Sequence, residues 1–222
     1  MQKVNIGIVG GAGYTGGELL RILLRHPNAH ISFVHSTSSS GELVSKVHAD
    51  LLGDTSLKFT NTLDQNIDVL FLCVGHGDAN KFLIENEIKA SIKIIDLSQD
   101  FRLAGSAAIV DRNFVYGLPE LQREAIKSAT NIANPGCFAT AIQLGLLPLA
   151  AKGLLKEVYT TGITGSTGAG QGLSNTSHFS WRVNNIQAYK TLQHQHLNEI
   201  VQSLAQLQGN QNAEVNFVPW RG

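Results

Sequence analysis

Cysteine is nearly absent: Cys73 and Cys137 are the only two in 222 residues. Two thiols make no disulfide framework, so a reducing compartment, by default the cytoplasm, is expected. An excess charge of either sign is missing too. Seventeen basic side chains balance seventeen acidic ones, neither forms a run, and no nucleic-acid or anionic-membrane partner is expected. No apolar stretch approaches the roughly 20 residues that a membrane span needs. A strand pattern begins within the first few residues, which is read as leaving no room for a signal peptide. No metal is expected. With 43% hydrophobic and 15% charged residues, the composition excludes disorder, and the length allows one large core or two small ones.

Glycine is what the chain has in quantity, 22 in all, and it clusters most densely in two loops. Val4 to Val9 reads as a buried parallel strand. It meets Gly10-Gly11-Ala12-Gly13-Tyr14-Thr15-Gly16, after which leucines recur at helical spacing from Glu18 to Arg25. Gly11 to Gly16 satisfies G-x-G-x-x-G, and Gly10, Gly13 and Gly16 satisfy G-x-x-G-x-x-G. A strand before and a helix after are the context that a dinucleotide turn requires. Gly10, Gly11, Gly13 and Gly16 let a pyrophosphate come close, and the first helical N–H groups, at Tyr14 and Thr15, face it. An NAD site wants Asp or Glu at the end of the next strand, His30 to Ser36. Ser36-Thr37-Ser38-Ser39-Ser40 stands there instead, with Glu42 the first acid. Hydroxyls at Ser36 and Ser38 accommodate a 2′-phosphate that a carboxylate would repel, so NADP is expected.

Further strands are predicted over Asp68 to Val74, Ile92 to Leu97 and Thr130 to Asn134, with a helix opened by Pro119. The first of these ends in Gly75-His76-Gly77, at the edge where a doubly wound sheet binds ligands, so Gly75 is expected to border the cofactor. After a strand over Glu157 to Ile163, the second glycine cluster runs from Gly162 to Gly172. No amphipathic helix follows it directly, so Gly168 and Gly170 are read as bare backbone against which a flat ligand lies. A helix is predicted through about Leu207 and a strand over Val215 to Val218.

The remaining cysteine stands in Asn134-Pro135-Gly136-Cys137-Phe138-Ala139-Thr140. Pro135-Gly136 turns the chain sharply, and an apolar helical run (Ala139, Ile142, Leu146, Leu147) follows. A cysteine in the first turn of a helix has unpaired N–H groups beside its sulfur, the setting of a nucleophile with an oxyanion site. Cys73 lies inside an apolar strand and reads as core. A dinucleotide turn, Cys137 and the pair His194 and His196 together point to thioester redox chemistry, with one of the histidines moving protons. Two residues apart, the histidines share a face on a strand and diverge on a helix. Arg102 or Arg112 is the candidate to hold a substrate phosphate or carboxylate.

Six ordered segments resemble the N-acetyl-gamma-glutamyl-phosphate reductase family: the Gly10 to Gly16 turn, Asp96 to Leu103, Tyr116 to Leu121, Ala133 to Thr140, Gly165 to Gln171, and His194 to Ile200. The resemblance implies an NADP-dependent enzyme acting on a small acyl phosphate, and a homo-oligomer. It implies Cys137 as nucleophile, His194 as acid/base, Glu199 as its support and Tyr189 as a site tyrosine. The spacing from Tyr189 to His194 departs by one residue from some members, so His194 and His196 both stay open, with His196 otherwise a substrate contact. The expected fold is α/β: a Rossmann-type doubly wound domain over 1–136 and an α+β catalytic and oligomerisation domain over 137–222. An α/β domain rarely stops just past a strand, and the second domain is expected to be truncated.

Overall fold

A computed structural model describes residues 2–209 and 213–222. The chain divides into two compact units: one runs through Gly117 and adds Glu124–Asn134, the other comprises Leu118–Arg123 and Pro135–Gly222. The boundary expected after residue 136 thus falls two residues earlier, and segment 118–123 goes with the second unit.

The first unit contains β1 (Val4–Val9), α1 (Tyr14–Leu24), β2 (Ala29–His35), α2 (Val44–Val47), β3 (Phe59–Thr60), β4 (Val69–Leu72), α3 (Asp78–Glu85), β5 (Lys93–Asp96), β6 (Ala108–Ile109), β7 (Arg112–Tyr116) and β8 (Asn131–Ala133). Helix α4 (Pro119–Ser128) precedes β8 and is interrupted at Gln122, where φ is −126°. The eight strands form one sheet in the order β3-β2-β1-β4-β5-β8-β7-β6. Every pairing is parallel except the β6–β7 hairpin. Apolar side chains fill both faces of such a sheet. Ile8, Leu20, Val34 and Phe59 pack on one side, and Leu70, Leu72, Ile94 and Phe101 on the other. Burying each is worth about 1.5–3 kcal/mol.

Strand order reverses direction between β1 and β4, the switch point where open α/β sheets bind ligands at their strand C-termini. The Gly10 turn follows β1 there, and the Gly75 turn follows β4. Asp100 stitches the next loop to this edge by accepting the N–H groups of Gly77 (2.7 Å) and Asn80 (3.0 Å) at the start of α3.

The second unit contains α5 (Cys137–Ala150), β9 (Glu157–Thr164), α6 (Phe179–Arg182), β10 (Gln187–Ala188), α7 (His196–Leu207) and β11 (Glu214–Arg221). Its sheet runs β10-β11-β9, with β9 and β11 parallel and in register from Glu157↔Glu214 to Thr164↔Arg221. Buried His196, Glu199, Ile200, Ser203 and Leu204 recur at helical spacing along α7, which packs on α5. That face is unusually polar for a helix interface, and its His196 and Glu199 lie under the Cys137 turn. No helix among the described residues is long and apolar enough to cross a membrane.

Candidate active site

The glycine turn of the first unit has the form of a phosphate cradle. Gly10 has φ +78°, and a Cβ there would run into the Cys73 carbonyl. A Cβ at Gly16 would stand 2.6 Å from the Gly10 oxygen and 2.7 Å from the Gly11 Cα, so α1 approaches the turn only because Gly16 is bare. A Cβ at Gly13 would meet only the Gly10 oxygen at 3.4 Å. Gly13 is also the N-cap of α1 and brings no side chain to the helix start. The first helical N–H groups and the positive end of the helix are thereby left to an anion. Tyr14 and Thr15, the first two residues of α1, are exposed. These residues fit a dinucleotide.

Ser36, just past β2, is buried, and its Oγ lies 3.3 Å from the Oγ of exposed Ser38. Gly75 is exposed at the end of β4, where its carbonyl accepts the Asp78 N–H at 3.2 Å. Gly168 and Gly170 belong to the second unit and are exposed around a short 3-10 turn.

In the second unit Cys137 is the first residue of α5 and is exposed, whereas Cys73 in the first unit is buried. Burial pushes the Cys73 thiol up to about 12, with Asp96 adding to the effect, which keeps it protonated. The turn before Cys137 is held from below by α7. Gly136 donates its N–H to Glu199 Oε2 at 2.9 Å, and Ala139 donates its own to His196 Nδ1 at 3.3 Å. The His196 ring lies so close that a Cβ on Gly136 would stand 2.6 Å from its Cε1. His196 Nε2 in turn lies 4.0 Å from Glu199 Oε1. Two N–H groups at the α5 start are thus taken. Those of Cys137 and Phe138 have no acceptor among the described residues.

His194 is 4% exposed and sits among rings: His196 at 4.6 Å, Phe217 at 5.6 Å, and Phe138 and Tyr189 at 5.7 Å. Its Nδ1 accepts the His196 N–H at 3.2 Å, so the neutral ring carries its hydrogen on Nε2. Burial first, then electrostatic interaction with His196 and the positive charges of Lys190 and Arg221, hold His194 down at about 4; Glu199 alone pulls it upward. Arg221 lies 4.1 Å over the ring of half-buried Tyr189. The chain reaches His194 through two strained residues, Lys190 at φ +44° and Leu192 at φ +60°. Bonds from Tyr189 N to Pro219 O and from Leu192 N to Phe217 O pin that segment to β11.

Residues 5–129 match the NAD-binding domain of semialdehyde dehydrogenases, and residues 137–222 match their dimerisation domain. The chain belongs to the semialdehyde dehydrogenase family. An N-acetyl-gamma-glutamyl-phosphate reductase of Christiangramia forsetii is 53% identical over 220 residues, 99% of this chain and 67% of its own. One from Flavobacterium johnsoniae is 54% identical over 220 residues, 99% of this chain and 68% of its own. Among solved structures, an aspartate semialdehyde dehydrogenase II complexed with ASA from Vibrio cholerae superposes with a TM-score of 0.74 at 18% identity, covering 100% of this chain and 70% of that one. An aspartate semialdehyde dehydrogenase with NADP from Candida albicans gives 0.67 at 15% identity, covering 99% and 68%. At those identities the two structures show the shared fold alone.

The geometry gives the three expected substrate contacts, Arg112, Arg102 and His196, partners within the protein. Arg112 donates to the carbonyls of Ile88, Lys89 and Ile92 and to Asn131 Oδ1, all at 2.8–3.1 Å. It opens β7, and Ile92 precedes β5, so in a parallel sheet it lies at the edge opposite the glycine turn. Arg102 is 5% exposed and donates Nε to the Asn134 carbonyl (2.8 Å) and Nη2 to the Leu97 carbonyl (2.9 Å). It pins the end of β8, where Asn134 also donates to the Asp96 carbonyl at 2.7 Å. His196 is 6% exposed, with Nδ1 capping α5 and Nε2 facing Glu199. Glu199, expected to support His194, touches Gly136 and faces His196, and it reaches His194 through its charge.

Two buried groups impose opposite pH dependences. Burial raises Asp96 to about 6 against the pull of the Ser98 hydroxyl and N–H. Its unfolded carboxyl ionises first, so its contribution to stability is lost as pH rises from the ordinary carboxylate range through about 6. The unfolded His194 ring binds its proton near 6.5 and the folded ring only near 4, so stability is lost as pH falls across that window. Thermal melts are expected to show a shallower acid-side loss in His194→Asn than in the parent. In Asp96→Asn the loss on going from pH 4 to 6 should shrink instead. Parallel profiles for all three proteins would contradict both assignments.

Proposed function

We propose that the chain reduces N-acetyl-γ-glutamyl phosphate to N-acetyl-glutamate 5-semialdehyde and phosphate, with NADPH, as a step of arginine biosynthesis. The observation that carries the chemistry is the exposed Cys137 at the start of α5, with His194, His196 and Glu199 gathered under its turn. Identity of 53% to an enzyme of that name supports the substrate. The Gly10 to Gly16 cradle and the Ser36–Ser38 hydroxyls in place of an acid support NADP.

Cys137 Sγ attacks the acyl carbon, the bond to the phosphate oxygen breaks, and phosphate leaves the acyl group as a thioester on Cys137. The N–H groups of Cys137 and Phe138 meet the oxyanion, since Glu199 and His196 have already taken those of Gly136 and Ala139. NADPH, when bound, supplies the hydride that converts the thioester to aldehyde. His194 is neutral at working pH and lends its Nε2–H to the oxygen as negative charge gathers there, taking the proton back as the intermediate collapses, the carbon–sulfur bond breaks and Cys137 leaves as thiolate. Tyr189 borders it under the charge of Arg221.

The match to a dimerisation domain supports a homo-oligomer, and two free cysteines fit the cytoplasm. The deciding assay runs the reaction backward, with NADP, phosphate and either N-acetyl- or N-succinyl-glutamate semialdehyde. Phosphate-dependent NADPH formation with the acetyl compound supports the proposal. Preference for the succinyl compound, or for aspartate semialdehyde, would reassign the substrate.

A further inference from the structure

The dinucleotide pattern accounts for Gly10, Gly11, Gly13 and Gly16 but leaves the next glycine, Gly17, unexplained. Gly17 is a buried interior residue of α1, where glycine is destabilising relative to alanine. The reason lies in a different segment. A Cβ at Gly17 would stand 2.5 Å from Cε1 and 2.7 Å from Nδ1 of His48, whose ring lies flush against the helix backbone. His48 is 6% exposed, and its Nε2 is 2.8 Å from the Gly11 carbonyl oxygen. A carbonyl only accepts, so Nε2 carries the hydrogen and donates it.

His48 is held there from both sides. It follows α2 directly, and its N–H donates to the Val44 carbonyl at 2.9 Å. Two residues on, Asp50 receives a bidentate pair from Arg21, at 2.7 and 2.8 Å, and Arg21 lies one helical turn beyond Gly17 on α1. Segment 44–50 is thereby strapped across α1, with the imidazole passing over Gly17 to reach the glycine turn.

We propose that His48 is a positioning residue for the dinucleotide: by holding the Gly11 carbonyl it sets the peptide plane at the centre of the phosphate-binding turn. Glycine-rich turns have many backbone conformations to lose, and a fixed peptide plane lets the turn meet a pyrophosphate without ordering at the moment of binding. Gly17 is the accommodation that this ring requires. The inference rests on the dinucleotide reading of the turn, and its test needs no turnover.

Titration calorimetry with NADP, and with adenosine 2′-phosphate, which lacks the pyrophosphate, separates this role from general loosening. His48→Ala is expected to weaken NADP about tenfold, the size of one net hydrogen bond. His48→Gln places an N–H near the Nε2 position and should stay within about threefold of the parent. Gly17→Ala favours the helix but drives the ring off Gly11, so it should weaken NADP as His48→Ala does and add nothing in the double variant. Adenosine 2′-phosphate should bind all of them alike. Parent-like NADP affinity in His48→Ala or in Gly17→Ala would overturn the proposal. Equal loss in His48→Gln and His48→Ala, weakened binding of the fragment, or additive effects in the double variant would do the same. If His48→Ala does not fold, Gly17→Ala and His48→Gln decide alone.

Discussion

Cys137→Ser is expected to abolish phosphate-dependent turnover, with a loss on the order of 10⁴-fold or more, while NADP affinity stays nearly unchanged. Serine preserves the size and the α5 start but replaces a strong nucleophile with a weak one. No group of the Gly10 to Gly16 cradle is altered, so cofactor titration serves as the control. Alkylation provides an independent reading. Cys137 is exposed, whereas Cys73 is buried and its thiol is raised to about 12, so a maleimide should label Cys137 first, and substrate should protect it. Turnover near the parent level in Cys137→Ser would exclude a thioester and the reaction proposed above.

The parts of this site that could be read in the sequence are those specified locally. The Gly10 to Gly16 turn and the Pro135-Gly136-Cys137 turn each need only a neighbouring strand or helix to make sense. The observed strands β1, β4, β5, β8 and β9 lie where apolar runs predicted them. The protein acceptors of the arginines are not legible in this way. Arg112 finds its acceptors at Ile88, Lys89, Ile92 and Asn131, and Arg102 one of its own at Asn134; nothing in the sequence near either residue announces an acceptor from so distant a segment.

Hairpin β6–β7 has no sequence signal for a different reason. Its turn places Val110 at φ +50°, where glycine or asparagine would be the signal, and a β-branched residue gives none. Helix α3 buries only Ala79 and Leu83, and its start is capped by Asp100 from a later loop. His48 had no motif at all. The only trace of it in the sequence was one glycine too many in α1, which gains meaning once the ring is seen lying on it.

The two histidines were separable only by structure. His196 opens α7, and both of its nitrogens are engaged, one by Ala139 N–H and the other facing Glu199. His194 precedes the helix and keeps its Nε2–H without an acceptor among the described residues, while Nδ1 receives the His196 N–H. Asparagine at position 194 can place Oδ1 where Nδ1 was, so that bond and the local fold are retained while the proton carrier is removed. His194→Asn is therefore expected to lower turnover by roughly 10²–10⁴-fold, the usual worth of general acid–base help, with thioester formation on Cys137 partly preserved. His194→Gln brings an N–H near the Nε2 position and should recover the hydrogen-bonding part of the loss but not the proton transfer. His196→Asn keeps an acceptor for Ala139 N–H and should cost less turnover than His194→Asn, with more of its effect on stability. Single-turnover measurement of phosphate release against NADPH oxidation separates acylation from reduction. If His196→Asn proves the more damaging to turnover and His194→Asn is nearly silent, the proton carrier is His196, and the polar seam between α5 and α7 does chemistry as well as support.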